Sequence, residues 1–495
     1  MRLSGILLPI FSLPSKHGIG TFGKEAFSFV DFLKESGQSY WQILPLGPTS
    51  FGDSPYQSFS AYAGNPYFID LDLLCEQGLL KREDYEDIVW CTDEHLVNYE
   101  LLYNNRLKVL HKAYLNLKEN LPKDYSEIYN QNKFWLDDYA LFMAIKDANN
   151  GASWDKWSDN LRFRREDAIE KAKKLYADKI DFYIALNYLF VKQWLALKTY
   201  ANENGIKIIG DMPIYVAFDS ADVWANPEQF VLDKSLMPKS VAGCPPDDFC
   251  EDGQLWGNPL YNWAKMKKEE TPYSWWCKRI SHSLKIYDLI RIDHFRGFEA
   301  YYSIPFGDKT AKNGVWKKGP GLHFFKCLKE TFGQLPIIAE DLGTLTEGVY
   351  KLLHNTGFPG MKVLQFAFST DEESEYLPHN HIKNCVVYTG THDNDTLKGW
   401  EQTLDSETLA YVKKYLNINE GDDFNWSVIK AAFSSVADTV IIPLQDFCSV
   451  DSVGRINTPA TLGDNWQWRV SSTYLNDWLS NLIYKTTKLY SRLPE

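Results

Sequence analysis

Eight short apolar runs recur along this chain, each separated from the next by polar or helix-patterned sequence. They are GILLPIF at 5–11, YWQILPLG at 40–47, IKIIGDMPI at 206–214, YDLIRIDH at 287–294, LPIIAEDL at 335–342, MKVLQFAF at 361–368, NCVVYTGT at 384–391 and DTVIIPLQD at 438–446. Near-continuous apolar runs are what strands look like when both of their faces are buried, as in a parallel sheet covered by helices. Amphipathic stretches such as GKEAFSFVDFLKESG at 23–37 and VYKLLHNTG at 349–357 lie between them. Eight strands with intervening helices predict an α/β chain folded as a (β/α)8 TIM barrel.

Two gaps between strands are too long for ordinary crossovers. The first, about 48–205, carries NYELLYNNRLKVLHKAYLNLK and DFYIALNYLFVKQWLALKTYAN, whose periodicity predicts a mostly helical insertion packed on the barrel. The second, about 215–286, is richer in Pro, Gly and Trp and reads as ordered loops over the active face. A smaller active-site loop, about 301–322, contains GVWKKGPG. Residues 1–495 read as a single catalytic barrel domain with these insertions, and no repeat or low-complexity tract interrupts it.

Charge and cysteine usage exclude several functions. Sixty-five acids against 52 bases leave a net charge of -13, which opposes a nucleic-acid partner. No run approaches the roughly 20 apolar residues that cross a bilayer. Pro9 interrupts GILLPIF, and no small-residue cleavage pattern follows, so this run reads as the first strand rather than a secretory signal. The eight cysteines form no CxxC pair and lack zinc-site spacing, so no metal is expected from them. Scattered thiols suit a reducing, cytoplasmic location. GIGTFG at 18–23 satisfies a dinucleotide-binding pattern, but YWQILPLGP lacks the acid expected at the end of the next strand. Those glycines read instead as shaping the first loop.

The chemistry lies in the acids that end three of the runs: Asp293, Glu340 and Asp393. Parallel barrels present their reactive groups at strand C-terminal ends. A retaining glycosyl transfer needs an ionised carboxylate and a protonated carboxyl about 5–5.5 Å apart. Arg291, two residues before Asp293, shares its strand face and favours the ionised form, so Asp293 is the candidate nucleophile. Glu340 follows the apolar PIIA, a setting that raises a carboxyl pKa, and is the candidate acid/base. Asp393 is the third acid, holding sugar hydroxyls. His294 and His392 are candidate partners of those hydroxyls. His392, Asp393 and Asp395 could in principle ligate a metal, but the repeated histidine spacing is missing.

Seventeen tryptophans and 29 tyrosines mostly serve the core. YVAFDSADVW at 215–224 and PPDDFCEDGQLWGNP at 245–259 instead mix rings with polar groups, a composition suited to a sugar's apolar faces and hydroxyl belt. Asp211, Tyr56, Phe249, Trp256 and Asn258 are the candidate sugar contacts.

GDSPYQSFSAYAGNPYFIDL at 52–71, DMPIYVAFDSADVW at 211–224, PPDDFCEDGQLWGNP at 245–259, RIDHFRGF at 291–298, IIAEDLG at 337–343 and YTGTHDNDT at 388–396 resemble the amylomaltases. So do IPLQD at 442–446 and NWQWR at 465–469. These are the 4-alpha-glucanotransferases, or disproportionating enzymes, of glycoside hydrolase family 77 in the alpha-amylase clan. The resemblance spans nearly the whole chain. It implies Asp293 as nucleophile, Glu340 as acid/base, Asp393 as transition-state stabiliser, Arg291 beside the nucleophile, His392 gripping substrate and Asp211 in the clan's first shared motif. It also implies a barrel without the C-terminal β-sandwich of alpha-amylases. The strand-end acids carry no information on anomeric configuration. The resemblance supplies it, implying transfer of an α-1,4-glucan segment to the 4-hydroxyl of another glucan, a maltooligosaccharide or glucose, with no cofactor. A retaining α-1,4-glucan hydrolase would use the same acids with water as acceptor. The sequence departs from some relatives at Asp248 and Phe51, where they carry Tyr, and at Ala460 and Asp464, where glycine is frequent. These departures bear on subsites, not on the class of reaction.

Overall fold

Side chains alternate along a strand, so strand parity decides which residues see the inside of a barrel. In the computed structural model, residues 2–50, 52–246, 251–343, 345–369 and 373–494 are described. The barrel strands are β1 (Leu3–Leu7), β2 (Tyr40–Gln42), β3 (Lys207–Pro213), β4 (Leu289–Asp293), β5 (Ile337–Ala339), β6 (Gly360–Val363), β7 (Cys385–Tyr388) and β8 (Thr439–Pro443). Every strand overlaps one of the eight apolar runs. All pairs are parallel, in the order β6-β7-β8-β1-β2-β3-β4-β5. Between β5 and β6 the Ala339 N–H donates to the Pro359 carbonyl at 2.9 Å and closes the ring.

Leu7, Ile209, Ile338, Met361, Val363, Val386, Tyr388 and Ile441 form a cluster of their own inside the barrel. The residues between them, including Ile208, Ile290, Ile292, Ile337 and Ala339, join the larger core under the helices. Burial on both faces is why the runs look continuously apolar. By the same parity, Asp211, Arg291, Asp293 and Glu340 lie on the inner side. Several runs outlast their strands. After β1, Pro9 offers no N–H to a ladder and Ile10–Ser12 turn as a 3-10 helix; after β6, Leu364–Phe366 do the same.

The stretch before β3 holds the helices Tyr99–Glu119, Tyr125–Ala148, Glu166–Leu175 and Ala177–Glu203. The last of these is buried all round from Ala185 to Val191, and again at Trp194 and Leu197, before feeding β3, as a helix enclosed by its neighbours is. The loops expected at 215–286 and 301–322 are more regular than their composition suggests. Ser240–Cys244, Gln254–Pro259, Ala300–Pro305 and Val315–Lys318 join as one four-stranded antiparallel sheet, and Ser274–Ile286 is a helix. Val315–Lys318 is exposed throughout, so it carries no alternation to announce a strand. Arg296, in the turn after β4, lies 3.9 Å over the Trp316 ring and ties this sheet to the mouth of the barrel.

After β8 no strand follows among the described residues, and the helix Asp477–Leu489 packs on Lys24–Glu35. No described helix is long and apolar enough to cross a membrane. Within GIGTFG, the Gly20 N–H donates to the Phe11 carbonyl, and a Cβ at Gly20 would stand 1.8 Å from the Ile10 carbonyl oxygen. The loop there needs close backbone approach, which accounts for that glycine.

Candidate active site

The register between β3 and β4 sets Asp211 beside Arg291 and Pro213 beside Asp293. Neighbouring inner side chains on adjacent strands can touch, and these do. Arg291 Nη1 donates to Asp211 Oδ1 at 2.9 Å, to Asp211 Oδ2 at 2.7 Å and to Asp293 Oδ1 at 3.2 Å. Asp211 is sealed, with 0 % of its side chain exposed, whereas Asp293 keeps 29 % open to the cleft. Tyr56 closes the other side of Asp211, its hydroxyl donating to Oδ2 at 2.9 Å. Burial disfavours the Arg291 charge, but Asp211 and Asp293 reverse that and hold it firmly protonated.

His294 leaves β4 in the left-handed region, φ 52°, unusual for a residue with a side chain. That twist turns its N–H onto Glu340 Oε2 at 2.6 Å, while the Leu342 N–H holds Oε1 at 2.8 Å. The backbone agrees, since Glu340 N–H donates to the Ile292 carbonyl and Phe295 N–H to the Glu340 carbonyl, each at 3.0 Å. The Glu340 carboxyl is thereby fastened to the residue immediately after Asp293.

Burial raises the Asp293 pKa well above the ordinary carboxylate value; Arg291 pulls it down, and Asp211, Glu340 and Asp393 add to the rise. Its open edge lets water moderate that effect. Burial also raises Glu340, against Arg291 and the two backbone N–H groups. The two carboxyls together hold a proton that isolated acids would release. Direct contact with Arg291 favours the anion on Asp293, which leaves the proton to Glu340. The two N–H donors on Glu340 then suit the carboxylate it becomes after giving that proton away.

Asp393 sits in the loop after β7, a turn tightened by Asn394 Oδ1 accepting from both the Thr391 N–H and its hydroxyl at 2.9 Å. Asn457 Nδ2 donates to Asp393 Oδ1 at 2.7 Å, and Arg455 Nη2 donates to the Asp393 carbonyl at 2.9 Å. Asn457 N–H also binds the His392 carbonyl at 3.1 Å. His392 Nε2 lies 3.3 Å from Asp393 Oδ2. Burial lowers the His392 pKa, Asp393 opposing, so the imidazole is neutral near pH 7. Its ring stacks on Tyr56 at 5.2 Å and 15°, with Trp466 packed at 6.0 Å.

Trp256 meets the His294 ring edge-on at 4.8 Å and 89°, on the Glu340 side of the cleft. Burial, with Arg296 nearby, brings His294 down to about 3, so it too is neutral. Asn258 is buried and engaged within the protein, its amide donating to the Val216 carbonyl at 2.9 Å and accepting from Gln57 at 3.2 Å. It braces the cleft wall. Phe249, with Asp248 and Phe51, lies outside the described residues.

Asp293, Glu340, Asp393, Arg291, Asp211, Tyr56, His392, His294 and Trp256 therefore share one cleft at the strand C-terminal ends. Sequence reasoning missed Arg455, Asn457, Gln57 and Trp466, although Trp466 stands inside the NWQWR motif. Asn457 lies between two noticed segments and carries no local signature of its contact with a residue 64 positions away.

A parallel barrel with a guanidinium-paired carboxylate, a second carboxyl fastened beside it and a third acid at its mouth is the arrangement of an enzyme acting on glycosidic bonds. Residues 8–475 match the family model described as 4-alpha-glucanotransferase. A 4-alpha-glucanotransferase of Clostridium butyricum is 51 % identical over 485 residues, covering 98 % of this chain and 99 % of that one. One of Thermus thermophilus is 46 % identical over 480 residues, covering 95 % of each. The solved structure of an amylomaltase from Streptococcus agalactiae in complex with acarbose superposes with a TM-score of 0.97 at 43 % identity, covering 100 % of both chains. The chain belongs to this family of retaining 4-alpha-glucanotransferases, which move α-1,4-glucan segments through a glycosyl-enzyme intermediate.

Proposed function

We propose that Asp293 is the nucleophile of this transfer, Glu340 its acid/base and Asp393 the residue that grips the sugar as charge develops. The observation that carries the assignment is the asymmetry of the pair. Arg291 contacts Asp293, while Glu340 is held by backbone N–H groups beside it and pairs directly with no cation among the described residues. Glu340 protonates the leaving oxygen as Asp293 attacks the anomeric carbon, and a shortened glucan departs. The 4-hydroxyl of a maltooligosaccharide, a longer glucan or glucose then enters, gives its proton to Glu340 and takes the glycosyl unit from Asp293.

Arg291 favours the ionised nucleophile, Asp211 anchors Arg291 beside it, and Tyr56 keeps Asp211 in place. Tyr56 and His392 form an aromatic wall beside Asp393. Trp256 and His294 line the side on which the leaving chain and the acceptor pass. Asn258 acts by bracing Gln57, and Phe249 is assigned by motif. None of these steps calls on a metal or cofactor. The insertions belong to the same catalytic unit, because the antiparallel sheet supplies Trp256 and is stacked on Arg296. Cys75, Cys91, Cys277, Cys327, Cys385 and Cys448 carry free thiols, in keeping with a cytoplasmic enzyme.

Incubation with maltotriose tests the reading. The protein should release glucose and build a ladder of longer maltooligosaccharides while total reducing ends stay nearly constant, because each bond broken is remade. Reducing ends that climb with cleavage, without elongation, would instead identify a retaining α-1,4-glucan hydrolase. Unchanged maltotriose with folded protein would leave only glucan binding.

A further inference from the structure

Two bonds stand at the β5–β6 seam. Besides the Ala339–Pro359 bond, the Met361 N–H donates to the buried Asp341 carboxylate at 2.6 Å. A Cβ at Gly360 would stand 2.3 Å from Asp341 Oδ2, so glycine is what lets the carboxylate reach that N–H. This bond fixes the start of β6 and with it the inward side chain of Met361, which is 1 % exposed among Leu7, Ile209, Ile338 and Val386. The Met361 sulfur lies 3.4 Å from Arg291 Nε and accepts its N–H.

A guanidinium is a planar fork with five N–H groups. Here one nitrogen, Nη1, serves three carboxylate oxygens on two residues. Freed at Nε, the plane could rotate to face fully buried Asp211 with two nitrogens, the bidentate geometry that such pairs favour, and leave Asp293. A thioether suits the anchoring position because it fills apolar space and is only a weak acceptor, so it does not compete with Asp293 for the charge.

We infer that Met361, seated by Asp341, is a positioning residue whose sulfur holds the Arg291 plane in the orientation that spans Asp211 and Asp293. The inference rests on the reading of Asp293 as nucleophile.

Met361→Leu conserves volume and removes the acceptor, a change that cores usually tolerate. The readout is fluoride release from α-maltotriosyl fluoride, whose leaving group needs no proton, expressed per folded enzyme. The rate of attack should fall about tenfold with KM changed less than about twofold. The acidic limb of kcat/KM should move to higher pH, because a weaker Arg291 contact favours the protonated form of Asp293. The other groups facing Asp293, namely Asp211, Glu340, Asp393 and Tyr56, are unaltered. Met361→Gln, whose amide oxygen can accept from Nε, should recover part of the loss even where it lowers Tm.

A Leu variant with wild-type rate and limb would overturn the inference, as would equal losses in Leu and Gln. Asp293→Asn run alongside separates the two readings. If it still releases fluoride, the nucleophile assignment fails. If it is silent while Met361→Leu behaves as wild type, only the positioning role falls.

Discussion

Asp293→Asn lowers transfer from maltotriose by at least about 10⁴-fold and leaves the fold intact, because the amide fills the same space and cannot form the glycosyl ester. The variant should also be more stable than the parent near neutral pH. In the native site Asp293 and Glu340 are raised as a pair, so across the range above ordinary carboxylate values the folded chain binds more protons than the unfolded one, and removing either charge relieves the other. Stability from this group is therefore fully present below the unfolded-state value and is lost as pH rises through the folded one. A neutral amide is exempt from that loss. Melting temperatures of the two proteins measured across pH should diverge upward from about pH 4, the variant above the parent. Curves that stay parallel would show that Asp293 carries no such penalty. An active-site carboxylate crowded by others is one of the places where function is kept at the expense of stability.

Glu340→Gln should cost about 10²–10⁴-fold on unmodified maltotriose, whose departing sugar needs a proton. With α-maltotriosyl fluoride the first step should survive nearly unharmed, since fluoride leaves unaided. The second step should then stall, because no base remains to take the acceptor's proton. The expected trace is a burst of fluoride close to one equivalent per enzyme, followed by slow turnover. Equal losses on both donors would remove the acid/base assignment and make Glu340 a structural residue.

The barrel was legible because burial on both faces writes itself as continuous apolar sequence. Parity along those runs then carried Arg291, Asp293 and Glu340 to the inner side together. What the sequence did not display were contacts made by loops and by single atoms. The antiparallel sheet over the cleft hid because Val315–Lys318 is wholly exposed and alternates nothing. Asn457 reaches Asp393 from the loop after β8, and Met361 looks like any other apolar strand residue until its sulfur is found against Arg291. Asn258 read as a sugar contact from its motif, and the sequence did not display that its amide also donates to the Val216 carbonyl and accepts from Gln57. Even the left-handed turn at His294, which delivers an N–H to Glu340, has no glycine or asparagine to announce it.

The transfer turns on a covalent bond to one named side chain, Asp293, and that bond can be located. Glu340→Gln, loaded with α-maltotriosyl fluoride and quenched in acid during the stall, should carry one glycosyl unit, and peptide mass mapping should find it on the fragment containing Asp293. An adduct on Asp211, Asp393 or any other residue, or a burst of fluoride with no adduct at all, would contradict it.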